Sequence, residues 1–183
     1  MMFRDRFRAD EGVTLVELLV VITLLTVVGG IVTSGIVSAL RSAAQTNAKI
    51  EALNELELAS QRVTRDLRQA EGIIVTSTPG ESIATLLRNE NGDVELVAYV
   101  VDGERLIRVD TQQTLVTRIG NPPGEPLFTY LDRQGEVITD CSDAGCEGLA
   151  QVGLRLIREV EGLNPVIVET RTSVRNVRYG SIS

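Results

Sequence analysis

With 183 residues, 43% hydrophobic and 23% charged, the chain has the length and composition of one globular domain, yet no charge occurs among the 23 residues from Leu18 to Leu40. That block excludes a plain cytosolic enzyme. A formal charge of −7, no His, no Trp and only three Phe and three Tyr make the chain a poor polyanion binder and leave almost no stacking platform for single-stranded nucleic acid.

The first twelve residues are polar and carry Arg4, Arg6 and Arg8 against Asp5, Asp10 and Glu11. They are not the start of a secretory signal peptide, whose apolar run ends after about 7 to 15 residues at a small-residue cleavage site. Here the run continues to Leu40 and, at 1.5 Å per residue, reaches roughly 35 Å, enough for a hydrocarbon core of about 30 Å. Positive charge ahead of it holds the N-terminus in the cytoplasm and sends the following chain across the membrane. Glu17 stands inside the apolar stretch. A lone carboxylate at membrane depth costs on the order of 2.5 to 3.5 kcal/mol, so it needs a partner, a job, or a position from which it snorkels to the interface.

Gly12 followed by Val13-Thr14-Leu15-Val16-Glu17-Leu18-Leu19-Val20 closely resembles the prepilin signature of type IV pilins and type II secretion pseudopilins. Four features coincide: a charged leader, a terminal Gly, Glu at the fifth mature position, and an apolar helix directly after it. The resemblance implies cleavage by a prepilin peptidase/N-methyltransferase between Gly12 and Val13, and N-methylation of Val13. It also implies a role for Glu17 and Thr14 in assembly, Glu17 of one subunit neutralising the new amine of its neighbour. Two departures stand out. Family members usually begin with Phe where this chain has Val13, and many carry a Pro near mid-helix, whereas the first Pro here is Pro79. Gly29-Gly30 and Gly35 either supply the weak point instead or allow close helix packing.

From Ser42 to Glu71 there is no Pro or Gly, and Leu53, Leu56, Val63, Leu67 and Ala70, with Ala52 and Ala59, recur at helical spacing. This predicts an amphipathic continuation of the helix whose stripe lies on a sheet. Glu51, Glu55, Glu57, Arg62, Arg65, Asp66 and Arg68 are expected to face outward, Arg62 pairing with Asp66 at i,i+4. After Gly72 the pattern turns to strands: 73–76, then 94–101 and 105–109 joined across Asp102-Gly103, 115–119, 128–131 and 136–139 around the turn 132–135, 148–160, and 166–177. The predicted class is α+β, a long N-terminal helix packed on a mostly antiparallel sheet, as the pilin resemblance also implies. The expected parts are a cleaved leader at 1–12, a membrane or filament-core helix at 13–40, an amphipathic helix at 41–71 and a β-rich globular domain at 72–183. The run Arg62 to Ala70 before a long β-rich region is similar to minor pilins and pseudopilins of the J type and to W-type minor pilins; the tip-most K type lacks the Glu.

Cys141 and Cys146 lie five apart in a segment with Gly and Asp, which reads as a disulfide-closed loop of a domain outside the cytoplasm; a reduced pair would point inside. Zinc is disfavoured, since there is no His and no second Cys pair. Asp132, Asp140 and Asp143 offer oxygen ligands for calcium, against the ordinary reading of solvated turn residues. No nucleophile elbow, phosphate loop or paired metal spacing is present, so no enzyme, cofactor or small-molecule substrate is expected. The leading reading is a filament subunit that primes or caps a pilus or pseudopilus. Its partners would be the peptidase, other pilins, an inner-membrane assembly platform and membrane lipid, with the globular domain in the periplasm or at the cell surface. The alternative is a competence pilin that catches DNA through Arg171, Arg175 and Arg178, which the acidity opposes. A third reading, an unprocessed single-pass anchor, would leave Gly12 without importance.

Overall fold

The computed structural model describes residues 14–74, 80–122, 124–139, 146 and 148–174. The chain divides into two compact units, Met1–Ala44 and Gln45–Ser183, and one helix, α1 (Leu15–Gln69), contributes to both. In the first unit every described residue is exposed, and the helix is long and apolar enough to cross a membrane, with an 18-residue window of mean hydropathy 2.6. Four of its hydroxyls are satisfied within the helix: Thr23, Thr26 and Thr33 each donate 2.8 Å bonds to the carbonyl four residues back, and Ser34 to that of Ile31, which spares those groups the cost of standing bare in an apolar surrounding. The helix is unbroken at Gly29, Gly30 and Gly35.

In the second unit α1 buries Ala52, Leu56, Ala59, Val63 and Leu67. On a wheel of about 100° per residue these fall within about 60° of Ala52, whereas Leu53 sits about 100° away. The buried face differs from the expected stripe: Leu53 is exposed, Asp66 is buried inside the stripe, and Ser60 and Thr64, about 80° and about 120° from Ala52, are buried beyond it. Arg68 in the last turn complements the helix C-terminus.

Eight strands follow, β1 (Gly72–Ile74), β2 (Ser82–Arg88), β3 (Val94–Asp102), β4 (Arg105–Arg108), β5 (Gln113–Val116), β6 (Phe128–Leu131), β7 (Gln151–Arg158) and β8 (Val166–Ser173). They form two antiparallel sheets, β1-β2-β3-β4-β5 and β6-β7-β8, where the sequence suggested one. The Asp102-Gly103 hairpin forms with Asp102 opposite Arg105, and Gly103 takes φ 61°, which a tight two-residue loop requires. β2 has no counterpart among the sequence-expected strands. The 136–139 strand reduces to a bridge between Leu131 and Val137, because Asp132 Oδ1 accepts the N–H groups of Gln134 and Glu136 and closes the turn instead. The expected strand at 115–119 starts two residues earlier and ends at Val116; Ile119 pairs instead with Arg158 of the other sheet.

That bridge begins the seam between the sheets. Gly120 N–H donates to the Ile157 carbonyl, and the N–H groups of Leu127 and Phe128 both donate to that of Gly80. The Asn121 amide donates to the Arg155 carbonyl and accepts from Ile157 N–H. A single apolar core joins the α1 stripe to inward residues of both sheets, including Ile83, Val97 and Tyr99 from one and Phe128, Val152 and Leu156 from the other.

Candidate functional site

The N-terminal turn of α1 is capped by Thr14. Its Oγ1 accepts the Glu17 N–H at 3.3 Å, and its carbonyl accepts the first helical bond from Leu18 N–H at 3.1 Å. Thr14 thus occupies the N-cap and Glu17 the third helical position, the T-x-x-E spacing of a capping box. That signal lies in the sequence and gives Glu17 a local role in addition to any partner: a carboxylate in the first turn also meets the positive end of the helix dipole. Glu17 is exposed. Gly12 and Val13, on either side of the expected cleavage point, lie outside the described residues.

Farther along α1, the glycines of the apolar segment present bare backbone. A Cβ built at Gly29, Gly30 or Gly35 would meet nothing within 4 Å. Gly29 and Gly30, with Thr26, Thr33, Ser34 and Ser38, line a shallow groove on one side of the helix, the kind of surface that lets helices approach closely in a membrane.

In the second unit two acidic side chains of α1 fasten the helix to the sheets. Asp66 Oδ2 accepts 2.6 Å from the Tyr99 hydroxyl on β3 and lies 3.2 Å from Arg108 Nη1 on β4; Arg108 Nε in turn donates to Asp110 at 2.8 Å. Burial, reinforced by the bond to Asp66, pushes the Tyr99 hydroxyl far above its ordinary pKa, and the hydrogen bond to Asp110 raises that of Arg108. Eleven residues earlier Glu55 Oε1 accepts from Thr117 N–H at 2.6 Å and Thr117 Oγ1 at 2.9 Å, while Oε2 pairs with Arg158 on β7. Asp66 therefore engages the five-stranded sheet, and Glu55 ties the residue directly after β5 to β7 of the three-stranded one. Both were expected in solvent, and the Arg62–Asp66 pair does not form: Arg62 Nη1 donates to Gln113 Oε1 instead, at 2.7 Å. The signal was the wheel position of Asp66, about 40° from Ala52 on the stripe itself.

The arginines crowding the C-terminal third are partly consumed by the fold. Arg155 pairs with Glu125 at 2.7 Å and Glu169 at 2.9 Å, and Arg158 with Glu55. Arg171 is exposed; Arg175 and Arg178 lie outside the described residues. Cys146 is buried and disulfide-bonded, and Cys141 lies outside the described residues. Among the described residues no three His, Cys, Asp or Glu side chains converge as a metal site; Asp132 caps its own turn, and Asp140 and Asp143 lie outside the described set.

Residues 7–33 match the family model of the prokaryotic N-terminal methylation motif. No curated protein matches the chain. The matched segment carries the motif of type IV prepilins and pseudopilins and supports that family, and one long helix packed on antiparallel sheets agrees with the fold the resemblance implies. The motif implies processing by a prepilin peptidase and assembly with other pilins, and it suggests a structural subunit.

Proposed function

We propose that the protein is a minor pilin or pseudopilin that initiates or caps a type IV pilus or type II secretion pseudopilus. Residues 1–12 are the leader, cut after Gly12 on the cytoplasmic face, and the exposed Val13 amine is methylated. Residues 13–40 hold the subunit in the inner membrane and later in the filament core, with residues 72–183 on the outer side of the membrane and residues 41–71 joining the two. Glu17 then meets the amine of a neighbouring Val13 in a setting where neither charge is well solvated, so that mutual neutralisation favours docked subunits over lone ones.

The observation that carries this reading is the methylation motif over residues 7–33, read together with Thr14 and Glu17 in one capped first turn at the head of an apolar helix. The DNA-capture alternative is not favoured, because the chain carries −7 overall; of its candidate arginines, Arg171 is exposed and Arg175 and Arg178 lie outside the described residues. Co-expression with a prepilin peptidase tests the processing step. The wild-type chain should lose residues 1–12 and Gly12→Leu should stay full length; a wild-type chain left uncut by an active peptidase would sink the reading.

A further inference from the structure

A groove of about 420 Å³ runs between the outer flank of α1 and β8, and every side chain lining it is polar, among them Gln61, Thr64, Arg65, Arg68 and Thr170. β8 is the last strand of the three-stranded sheet, and no described residue pairs with its outer edge. The hydrogen-bonding sense of that edge follows from β7. Arg155 N–H donates to the Leu127 carbonyl and Ile157 N–H to Asn121 Oδ1, both on the β6 side. Even-numbered residues of β7 therefore turn toward β8, and with Leu154 opposite Thr170 and Leu156 opposite Val168 the even-numbered residues of β8 turn back. Ile167, Glu169, Arg171 and Ser173 are left directing N–H and C=O groups at the open edge. The strand has eight residues with no Pro, no Lys and no bulge in its pairing, so of the usual devices that blunt an edge it carries only the charges of Glu169 and Arg171.

The groove beside that edge is charged to match a particular strand. The Arg65 side chain is 61% exposed and reaches only 3.6 Å from Asp66, and Arg68 has no partner among the described residues. Thr64 is 9% exposed, with its Oγ1 buried and without a hydrogen-bond partner. The one opposing carboxylate, Glu57, is engaged by the Gln61 amide at 3.1 Å. A strand added to β8 would turn alternate side chains onto this flank. A second copy of β8 does not suit it: its helix-facing side chains would be Val166, Val168, Thr170 and Thr172, which offer the two guanidinium groups no charge.

We propose that β8 is a docking edge for an extended acidic segment of another protein, which adds a fourth strand to the three-stranded sheet and sets carboxylates against Arg65 and Arg68. The proposal does not depend on leader cleavage, so its failure would leave the pilin reading untouched. The test uses the full chain in detergent micelles and three fluorescent ten-residue peptides read by anisotropy. One alternates Glu and Thr, one has Lys for Glu, and one repeats the acidic sequence with alternate backbone nitrogens methylated. The acidic peptide should bind at least about tenfold more tightly than the other two. Arg171→Pro removes an edge N–H without touching the β7 ladder and should weaken binding by about tenfold or more. Arg65→Glu with Arg68→Glu should reverse the preference toward the Lys peptide, and circular dichroism melts confirm that both variants fold. Equal binding of acidic and basic peptides, no saturable binding of either, or full binding by folded Arg171→Pro would overturn the proposal.

Discussion

Replacing Asp66 by Ala removes the acceptor of a hydroxyl that has no route to water, since Tyr99 is 0% exposed. Leaving a buried hydroxyl unsatisfied costs about 1 to 3 kcal/mol. The substitution also takes one of two carboxylates from Arg108, whose side chain is 14% exposed; truncating a buried ion pair costs about 3 to 5 kcal/mol when nothing replaces the lost partner. Here Asp110 remains at 2.8 Å, so that part should be well below the full figure. Asp66→Ala is expected to destabilise the globular unit by about 3 kcal/mol, and Tyr99→Phe by about 1 kcal/mol because the hydroxyl itself is removed and Asp66 Oδ2 keeps Arg108 as its partner. The two should couple by about 1 kcal/mol or more in a double-mutant cycle. Urea unfolding followed by far-ultraviolet circular dichroism is suited to this, as it reads all four corners of the cycle alike whether or not Tyr99 is present. A loss under about 0.5 kcal/mol for Asp66→Ala, or additive effects in the cycle, would show that Asp66 is solvated and that the helix is held by its apolar stripe alone.

Three other perturbations follow from the same contacts. Burial pushes the Tyr130 hydroxyl up to about 12 from 10.0 and Tyr99 is raised as well; the unfolded chain then releases these protons first, so stability present below pH 10 should fall as pH rises from about 10 toward 12. Tyr130→Phe should flatten that decline, and an unchanged alkaline slope would count against burial of the hydroxyl. Glu55→Ala leaves Arg158 and the Thr117 N–H without their acceptor and should cost about 2 kcal/mol in the same urea titration; a change inside the error of the fit would deny the link to the second sheet. Gly80 has φ 95° and an added Cβ would come within 2.8 Å of Pro126 Cβ, so Gly80→Ala should lower stability by about 1 to 3 kcal/mol, and a melting temperature equal to wild type would contradict it.

What the sequence disclosed depended on how local the signal was. The segment around Gly12 and Glu17 is contiguous and dense with constraints, so its family, its helix and its apolar run could all be read directly. The Asp102-Gly103 hairpin was legible for the same reason. β2 was not, because Ile83, Ala84 and Thr85 are buried on both faces of the strand, which erases the alternation that marks a half-exposed strand. The division into two sheets rests on where the chain crosses from Val116 to Phe128 and on the bridge from Ile119 to Arg158, neither of which leaves a periodic trace. Charged residues on a helix were read as solvated by type, and for Asp66 the wheel position should have outweighed the type. Glu55, at the margin of the stripe, becomes intelligible only when Arg158 and Thr117 arrive from more than 60 residues away.

The account stands most directly on the chemical identity of its N-terminus, and the decisive measurement is the mass of the N-terminal peptide of the protein purified from its native membrane or from sheared filaments. A peptide beginning at Val13 with one added methyl group is the expected result. A peptide that still carries Met1 to Gly12 would contradict it, reducing the helix to an anchor and leaving Glu17 only its place in the cap with Thr14.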